Sequence, residues 1–359
     1  MASTLQRLDS HLIENSTPEC RAIIIARNEA QRLPWLLSYY RKLGISRFFV
    51  VDNGSTDGSL EFLAQQKDCH VFSTSESFAT AKYGVLWHEH ILQQYGEGSH
   101  WWLILDADEM LIYPGCESVL LPEFCTYLEG TGAEGLYTAM IDMYNRGPVA
   151  EAVYKQGQPF LEVCPYLDTE YKFRPRLKAP FAKKPFPRIE PVGGPRLRRF
   201  YPEYHRAGMW AVAKTKILRR LRDLLSRFGI QLSVNCSVPP ILFKVPLFQV
   251  KPGFQLVNSH MVSPLKLASV TGALLHFKFF SDFHERVMGE VKRGEHFDGA
   301  SEYARYLKAM ESDPRMSFFY GKSVMYRNSG DLVRLGLIKD DTAFAAYRSD
   351  LTGQARKQA

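Results

Sequence analysis

The chain has no apolar run approaching the roughly 18 residues a membrane-spanning helix needs, so no integral membrane segment is expected. It also lacks any CxxC pair. Its six cysteines (Cys20, Cys69, Cys116, Cys125, Cys164 and Cys236) are scattered singly, which argues against a zinc ribbon or disulfide framework and suits reduced core thiols. There is no internal repeat. No recognised nucleic-acid motif accompanies the positive charge, so nucleic acid is not an expected partner. Residues Met1 to Thr17 are polar, with Arg7, Asp9 and Glu14 where a signal peptide would be hydrophobic. A cytoplasmic address is expected, and the sequons at Asn15, Asn53 and Asn235 then read as chance.

What the chain does have is bulk and uneven charge. With 359 residues and 45% hydrophobic content it can bury a large core, and about two structural units are expected. The expected divisions are an N-terminal extension (1–20), an α/β half (21–145), a second half with a basic insertion (146–280) and a C-terminal helical region (281–359). The net charge is +7. Between Lys172 and Arg199 lie ten Lys or Arg and one acid, Glu190, among six prolines. Pro175, Pro180, Pro185, Pro187, Pro191 and Pro195 break helical periodicity and Gly193-Gly194 adds a turn, so this stretch reads as an extended basic loop. From Lys214 to Arg227, Ile217, Leu218, Leu221, Leu224, Leu225 and Phe228 recur at helical spacing between cations. That pattern is a basic amphipathic helix: either a solvated face on a core helix or a surface for anionic lipid or a phosphorylated substrate.

The first 145 residues alternate between strand and helix patterns. Strands are expected at Ala22–Ala26, Phe48–Asp52 and His70–Ser73, and helices at Leu33–Leu43, Asp57–Gln66 and Ala79–Gln94. A helix at Pro122–Glu129 and a strand at Leu136–Met143 follow. Repeated alternation predicts an α/β fold, a mainly parallel sheet with helices on both faces. The most informative stretch is Leu103-Ile104-Leu105-Asp106-Ala107-Asp108-Glu109, an apolar strand that ends in three acids within four positions. Packed carboxylates raise one another's pKa, and a bound divalent cation would let them stay ionised. The other strand ends are polar too: Arg27-Asn28-Glu29, and Asp52-Asn53-Gly54-Ser55-Thr56-Asp57. Asp57 fits a helix cap, whereas Asp52 could accept a hydrogen bond from the imide N–H of a uracil.

These three segments, in this order and each at an expected strand end, resemble the GT-A fold glycosyltransferases, close to the family 2 set and its family 92-like relatives. A fourth segment, Gly272-Ala273-Leu274-Leu275-His276-Phe277-Lys278-Phe279, resembles the group's downstream histidine segment. The likeness spans about Arg21 to Tyr306. It implies a Rossmann-like nucleotide-diphospho-sugar fold with a basic Pro-rich insertion and C-terminal helices. Asp106 and Asp108 match the Asp-x-Asp motif, the second acid binding Mn²⁺ or Mg²⁺ and the first shared between metal and ribose. His276 would be a third metal ligand, with His260 as its competitor. Arg27, Glu29, Asp52, Lys82, Asp106 and Lys278 would contact the nucleotide sugar, UDP-sugar favoured. Transfer to a glycan or lipid-linked acceptor, with inversion, needs a base; Asp142 is the first candidate, with Glu162 and Asp168 behind it. Glu109 is expected to support its neighbours. The basic stretch could hold an anionic acceptor or a membrane surface, placing the protein peripherally on the inner face.

Two other enzyme classes fit less well. A haloacid-dehalogenase-type phosphatase would place its acidic motif at the start of the fold and continue it to Thr or Val where this chain has Met110. A sugar-nucleotide pyrophosphorylase would need an N-terminal Gly-rich loop, which Ala26-Arg27-Asn28-Glu29 is not. The non-enzymatic alternative is a carbohydrate- or membrane-binding protein using Trp35, Trp87, Trp101, Trp102 or Trp210 as stacking platforms.

Overall fold

The computed structural model describes residues 5–13, 18–98, 100–176, 186–207, 209–226, 228–230 and 238–358. After β1 (Gln6–Arg7) come β2 (Cys20–Ala26), α1 (Leu33–Leu43), β3 (Arg47–Asp52), α2 (Ser59–Ala64), β4 (Cys69–Ser73), α3 (Val85–Tyr95) and β5 (Trp101–Asp106). Then follow β6 (Glu109–Ile112), α4 (Leu121–Gly130), β7 (Gly135–Tyr144), α5 (Phe160–Val163), β8 (Tyr166–Asp168), β9 (Tyr171–Pro175) and β10 (Ile189–Gly193). The remainder is α6 (Gly194–Phe200), α7 (Pro202–Ala207), α8 (Met209–Ser226), β11 (Phe243–Gln249), β12 (Gly272–His276), α9 (Phe283–Arg293), α10 (Phe297–Ser312), β13 (Ser323–Met325), α11 (Ser329–Arg334) and α12 (Thr342–Gln358). No helix among the described residues is long and apolar enough to cross a membrane.

The fold is α/β, built on a large mixed, mostly parallel sheet in the order β1-β4-β3-β2-β5-β11-β7-β12-β6. β4, β3, β2 and β5 are mutually parallel, as the alternation predicts, and β7 and β12 are parallel to each other. β11 runs antiparallel between β5 and β7. Strands from both expected halves therefore share one sheet. Period-two alternation splits its side chains between two cores. Ala22, Ile24, Phe48, Val50, Leu103 and Leu105 pack with α1 and α4, while Ile23, Phe49, Val51, Trp102 and Ile104 pack with α3.

α1 shows how the sequence writes an element. Leu33, Leu36, Leu37, Tyr40 and Leu43 repeat at helical spacing and are buried, Pro34 sits in the first turn, and Gly44 ends the helix in a left-handed conformation at φ 102°. A Cβ on Gly44 would lie 2.6 Å from Pro122 Cδ. Gly44→Ala combines unfavourable φ with that clash, and should lower unfolding stability by about 1–3 kcal/mol in urea titrations. A change within a few tenths would mean that α4 yields freely.

Three expectations need correction. The helix expected at Ala79–Gln94 begins only at Val85, because Lys82, Tyr83 and Gly84 are all left-handed, and the helix expected at Asp57–Gln66 shortens to α2 behind left-handed Gly58. The basic stretch is not one extended loop: β9 and β10 form a hairpin, and α6 follows at once, with Pro195 in its first turn where no N–H is missed. Lys178, Pro180, Lys183, Lys184 and Pro185 lie outside the described residues. The five cysteines among the described residues are free, with Cys20 Sγ 3.6 Å from Cys125 Sγ.

Candidate functional site

The C-terminal ends of β2, β3 and β5 lie side by side, since β2 pairs with both of the others, and they bring Glu29, Asp52 and Asp106 to one edge. That edge is where open α/β sheets bind ligands. Beyond β5 the chain turns at once into β6, which pairs antiparallel with β12 so that Glu109 faces His276. β12 also pairs parallel with β7, which sets His276 beside Asp142. The Phe277 N–H donates to the Asp108 carbonyl at 2.8 Å, fixing the two segments together.

This register produces a line of three side chains. His276 Nδ1 lies 2.8 Å from Asp142 Oδ1, and its Nε2 lies 3.6 Å from Asp108 Oδ2. Asp142 is buried, which alone would raise its carboxyl, but Arg196 and His276 more than offset this and hold it ionised. The ionised Asp142 accepts from Nδ1–H, which turns Nε2 toward Asp108. Carboxylate-oriented histidine is the usual way a protein fixes an imidazole on a metal. Burial would also raise the Asp108 carboxyl. His276, Arg286, Lys278 and Arg32 outweigh it and bring it down to about 2.

Asp142 consequently does not suit the base role expected for it. Its second oxygen, Oδ2, accepts from Arg196 Nε at 2.8 Å, and the side chain is fully buried. The other two candidates are no better placed. Asp168 is buried against Tyr144 Oη at 2.5 Å and the Arg198 guanidinium, and Glu162 is an exposed acid on α5 that accepts from Gln158.

Asp106 and Glu109 share a partner that the sequence reading missed. Lys244 on β11 is level with Asp106 across the sheet, buried, with Nζ 2.8 Å from Glu109 Oε2 and 3.7 Å from Asp106 Oδ2. Glu109 Oε2 also accepts the Asp106 N–H at 2.9 Å, so Glu109 braces the turn. Its burial and the Asp106 charge raise its pKa, while Lys244 opposes them. The Asp106 side chain is 56% exposed and sits against Lys244. It does not close a three-ligand cage with Asp108 and His276, because the only trio of candidate ligands within 4.8 Å among the described residues lies elsewhere. His260, the competitor, bonds through Nδ1 to the Phe243 carbonyl; burial and then Lys244 lower its pKa to about 4.

A cationic rim faces Asp108. Lys278 Nζ is 3.2 Å from Tyr303 Oη and over that ring, and Arg286 on α9 reaches Glu29 Oε1 at 2.6 Å. Glu29 is buried, and its carboxylate is committed to Arg286 and Arg32, a different duty from the ribose contact expected of it. Asp52 Oδ2 accepts from the Gly54 and Ser55 N–H groups at 3.1 Å, while Oδ1 has no partner. Arg27 donates to the Asn53 carbonyl and Lys82 is exposed on the loop before α3. Asp57, one residue before Gly58, the N-cap of α2, accepts from Ser59 and from the Ala30 N–H.

No family model matches the chain, and neither does any curated protein.

The trio within 4.8 Å is Asp9, His11 and His70, beyond β4 at the far side of the sheet. Arginine already supplies its cation: Arg7 Nη2 lies 2.7 Å from Asp9 Oδ1 and 3.2 Å from His70 Nδ1, and Arg47 Nη1 lies 3.1 Å from His70 Nε2. Burial would raise the Asp9 carboxyl, but its bonds from Arg7 and His70 hold it well below the usual carboxylate range. A depressed carboxylate stabilises the fold above its unfolded value, near 3.8, and that contribution is lost as pH falls further. Asp9→Asn should thus flatten the acid limb of a stability–pH curve below about pH 4. An unchanged limb would show that Asp9 keeps its ordinary pKa.

Proposed function

We propose that this protein is a metal-dependent glycosyltransferase of the GT-A type, moving a sugar from a nucleotide-diphosphate sugar, UDP-sugar favoured, to a glycan or lipid-linked acceptor with inversion. The observation that carries the reading is the Asp142–His276–Asp108 line at the sheet edge. Asp108 and His276 would hold the ion; an ionised oxygen ligand and an oriented imidazole suit Mn²⁺ or Mg²⁺. When bound, the cation supplies charge neutralisation for the departing diphosphate. The chain's own residues do the rest. Lys278 and Arg286 present positive charge beside Asp108, where phosphate oxygens would lie. The unpartnered Asp52 Oδ1 is a buried acceptor without a donor, the chemistry a uracil imide N–H completes. Glu29 keeps Arg286 and Arg32 in place.

Sugar stacking on tryptophan, one basis of the non-enzymatic reading, has less support. Trp87, Trp101 and Trp102 are buried in the cores and cannot stack on sugars, and Trp35 packs on Tyr39 and Phe160. Nothing is described of the Trp210 side chain.

Incubation with UDP-, GDP- and dTDP-sugars, with and without Mn²⁺, tests the proposal through nucleotide release. Release from one donor that stops in EDTA is expected; release at the same rate without metal would overturn the metal-dependent reading. Asp142→Asn should weaken Mn²⁺ affinity by about 10- to 100-fold, read from the free-Mn²⁺ signal in electron paramagnetic resonance titrations. Unaltered affinity would remove Asp142 as the group that orients His276.

A further inference from the structure

Among the described residues, four cations of the basic stretch that suggested a membrane contact are held in ion pairs. Arg196 pairs with Asp142, Arg198 with Asp168, Arg199 with Asp313, and Arg174 with Glu190. The uncommitted surface lies further along the chain, on α8.

Among its described side chains, α8 is docked by one side. The Thr215 hydroxyl accepts from Tyr204 Oη at 2.6 Å, Arg222 Nη2 pairs with Asp298 Oδ1 at 2.9 Å, and Leu218 and Leu225 are partly buried. About a third of a turn away, Ile217, Leu221 and Leu224 repeat at i, i+4 and i+7 and fall within about 60° of one another around the helix, and Phe228 lies in the turn just beyond its end at Ser226. They are 66%, 44%, 51% and 74% exposed, and Ile230 beyond them is 51% exposed. Among the described residues no other helix presents three large apolar side chains to solvent along one line. Exposed Lys214 and Arg220 flank the stripe on opposite sides, and the helix carries five Lys or Arg against one acid.

An apolar stripe alone could meet any apolar partner; the flanking charge decides between them. A cation on either side of an apolar ridge matches the layering of an anionic bilayer surface, with the ridge at the acyl boundary and the amines at the phosphates. We infer that α8 is an interfacial helix that seats the protein on anionic phospholipid, with Ile217, Leu221, Leu224 and Phe228 inserted and Lys214 and Arg220 at the headgroups. The helix follows α6 and α7 directly, and α6 carries the Arg196 that pairs with Asp142, so the contact lies one short helix from the candidate site. The inference stands apart from the catalytic reading, because lipid binding needs neither donor nor metal.

Flotation of the full chain with vesicles of phosphatidylcholine, or of phosphatidylcholine with about one third phosphatidylglycerol, tests it. Binding at least tenfold stronger to the anionic vesicles is expected, falling steeply as salt screens the headgroups. Ile217→Gln/Leu224→Gln/Phe228→Gln should reduce it at least tenfold with an unchanged circular dichroism melt, since all three positions are exposed. Lys214→Glu/Arg220→Glu should remove the preference for anionic lipid. Equal recovery with both vesicles, binding untouched by the triple substitution, or a concentration-dependent dimer in light scattering that the triple substitution dissolves, would each overturn the inference, the last by showing a second copy on this face.

Discussion

Lys244→Met is expected to lower the unfolding free energy by about 3–5 kcal/mol, the cost of leaving a buried carboxylate without its cation. Lys244 Nζ is the cationic partner of Glu109, both are buried, and methionine fills the same volume without the charge. The second variant decides the cause. Glu109→Gln in the Lys244→Met background removes the stranded charge yet can still accept from the Asp106 N–H, so it should recover most of the loss. Urea unfolding of the single and double variants at about pH 9, where Glu109, pushed up to about 7, is ionised beside Lys244, measures both. A single variant within about 0.5 kcal/mol of the parent would show that Glu109 is neutral in the folded chain, and the brace on the acidic turn would have to be redrawn.

Asp108→Asn is expected to cut nucleotide release by about 100- to 10,000-fold while leaving the fold intact, the several kcal/mol a metal contributes at a leaving group. The amide keeps the shape but not the charge, which His276, Arg286, Lys278 and Arg32 hold ionised. Asp108 sits in the turn between β5 and β6, and its backbone carbonyl still receives the Phe277 N–H. The thermal midpoint should move by only a few degrees. Activity that survives the substitution would exclude Asp108 as the essential ligand.

The strands and helices of the first half are legible because the information is local. α1 occupies the expected span, and β3 and β5 end at the expected acids, since apolar periodicity and glycine stops write each element in place. Where a left-handed run intervenes, as at Lys82 to Gly84, the periodicity continues but the helix does not. Asp108 and His276 also meet at the same edge, 168 residues apart in the chain but adjoining through the β6–β12 pair. What escaped was the partnering of charge. Arg196 counted as one cation among ten; only the packing of α6 against β7 shows that it turns inward to Asp142. Asp142 looked like a base because it ends an apolar strand, and the parallel β7–β12 register makes it the neighbour of His276 instead. Lys244 did leave a signal, a single cation inside the apolar run Leu242 to Leu247. A lone lysine in a central strand needs a buried acid opposite.

Calorimetric titration of UDP, GDP and dTDP into the protein with and without Mn²⁺ tests the central claim most directly, because it needs neither the donor sugar nor the acceptor. One nucleoside diphosphate should bind, at least tenfold more tightly with Mn²⁺, and Asp108→Asn and His276→Ala should each abolish the gain. Binding of none of the three, or a Mn²⁺ gain that persists in both variants, would contradict a nucleotide-diphosphate site built on Asp108 and His276.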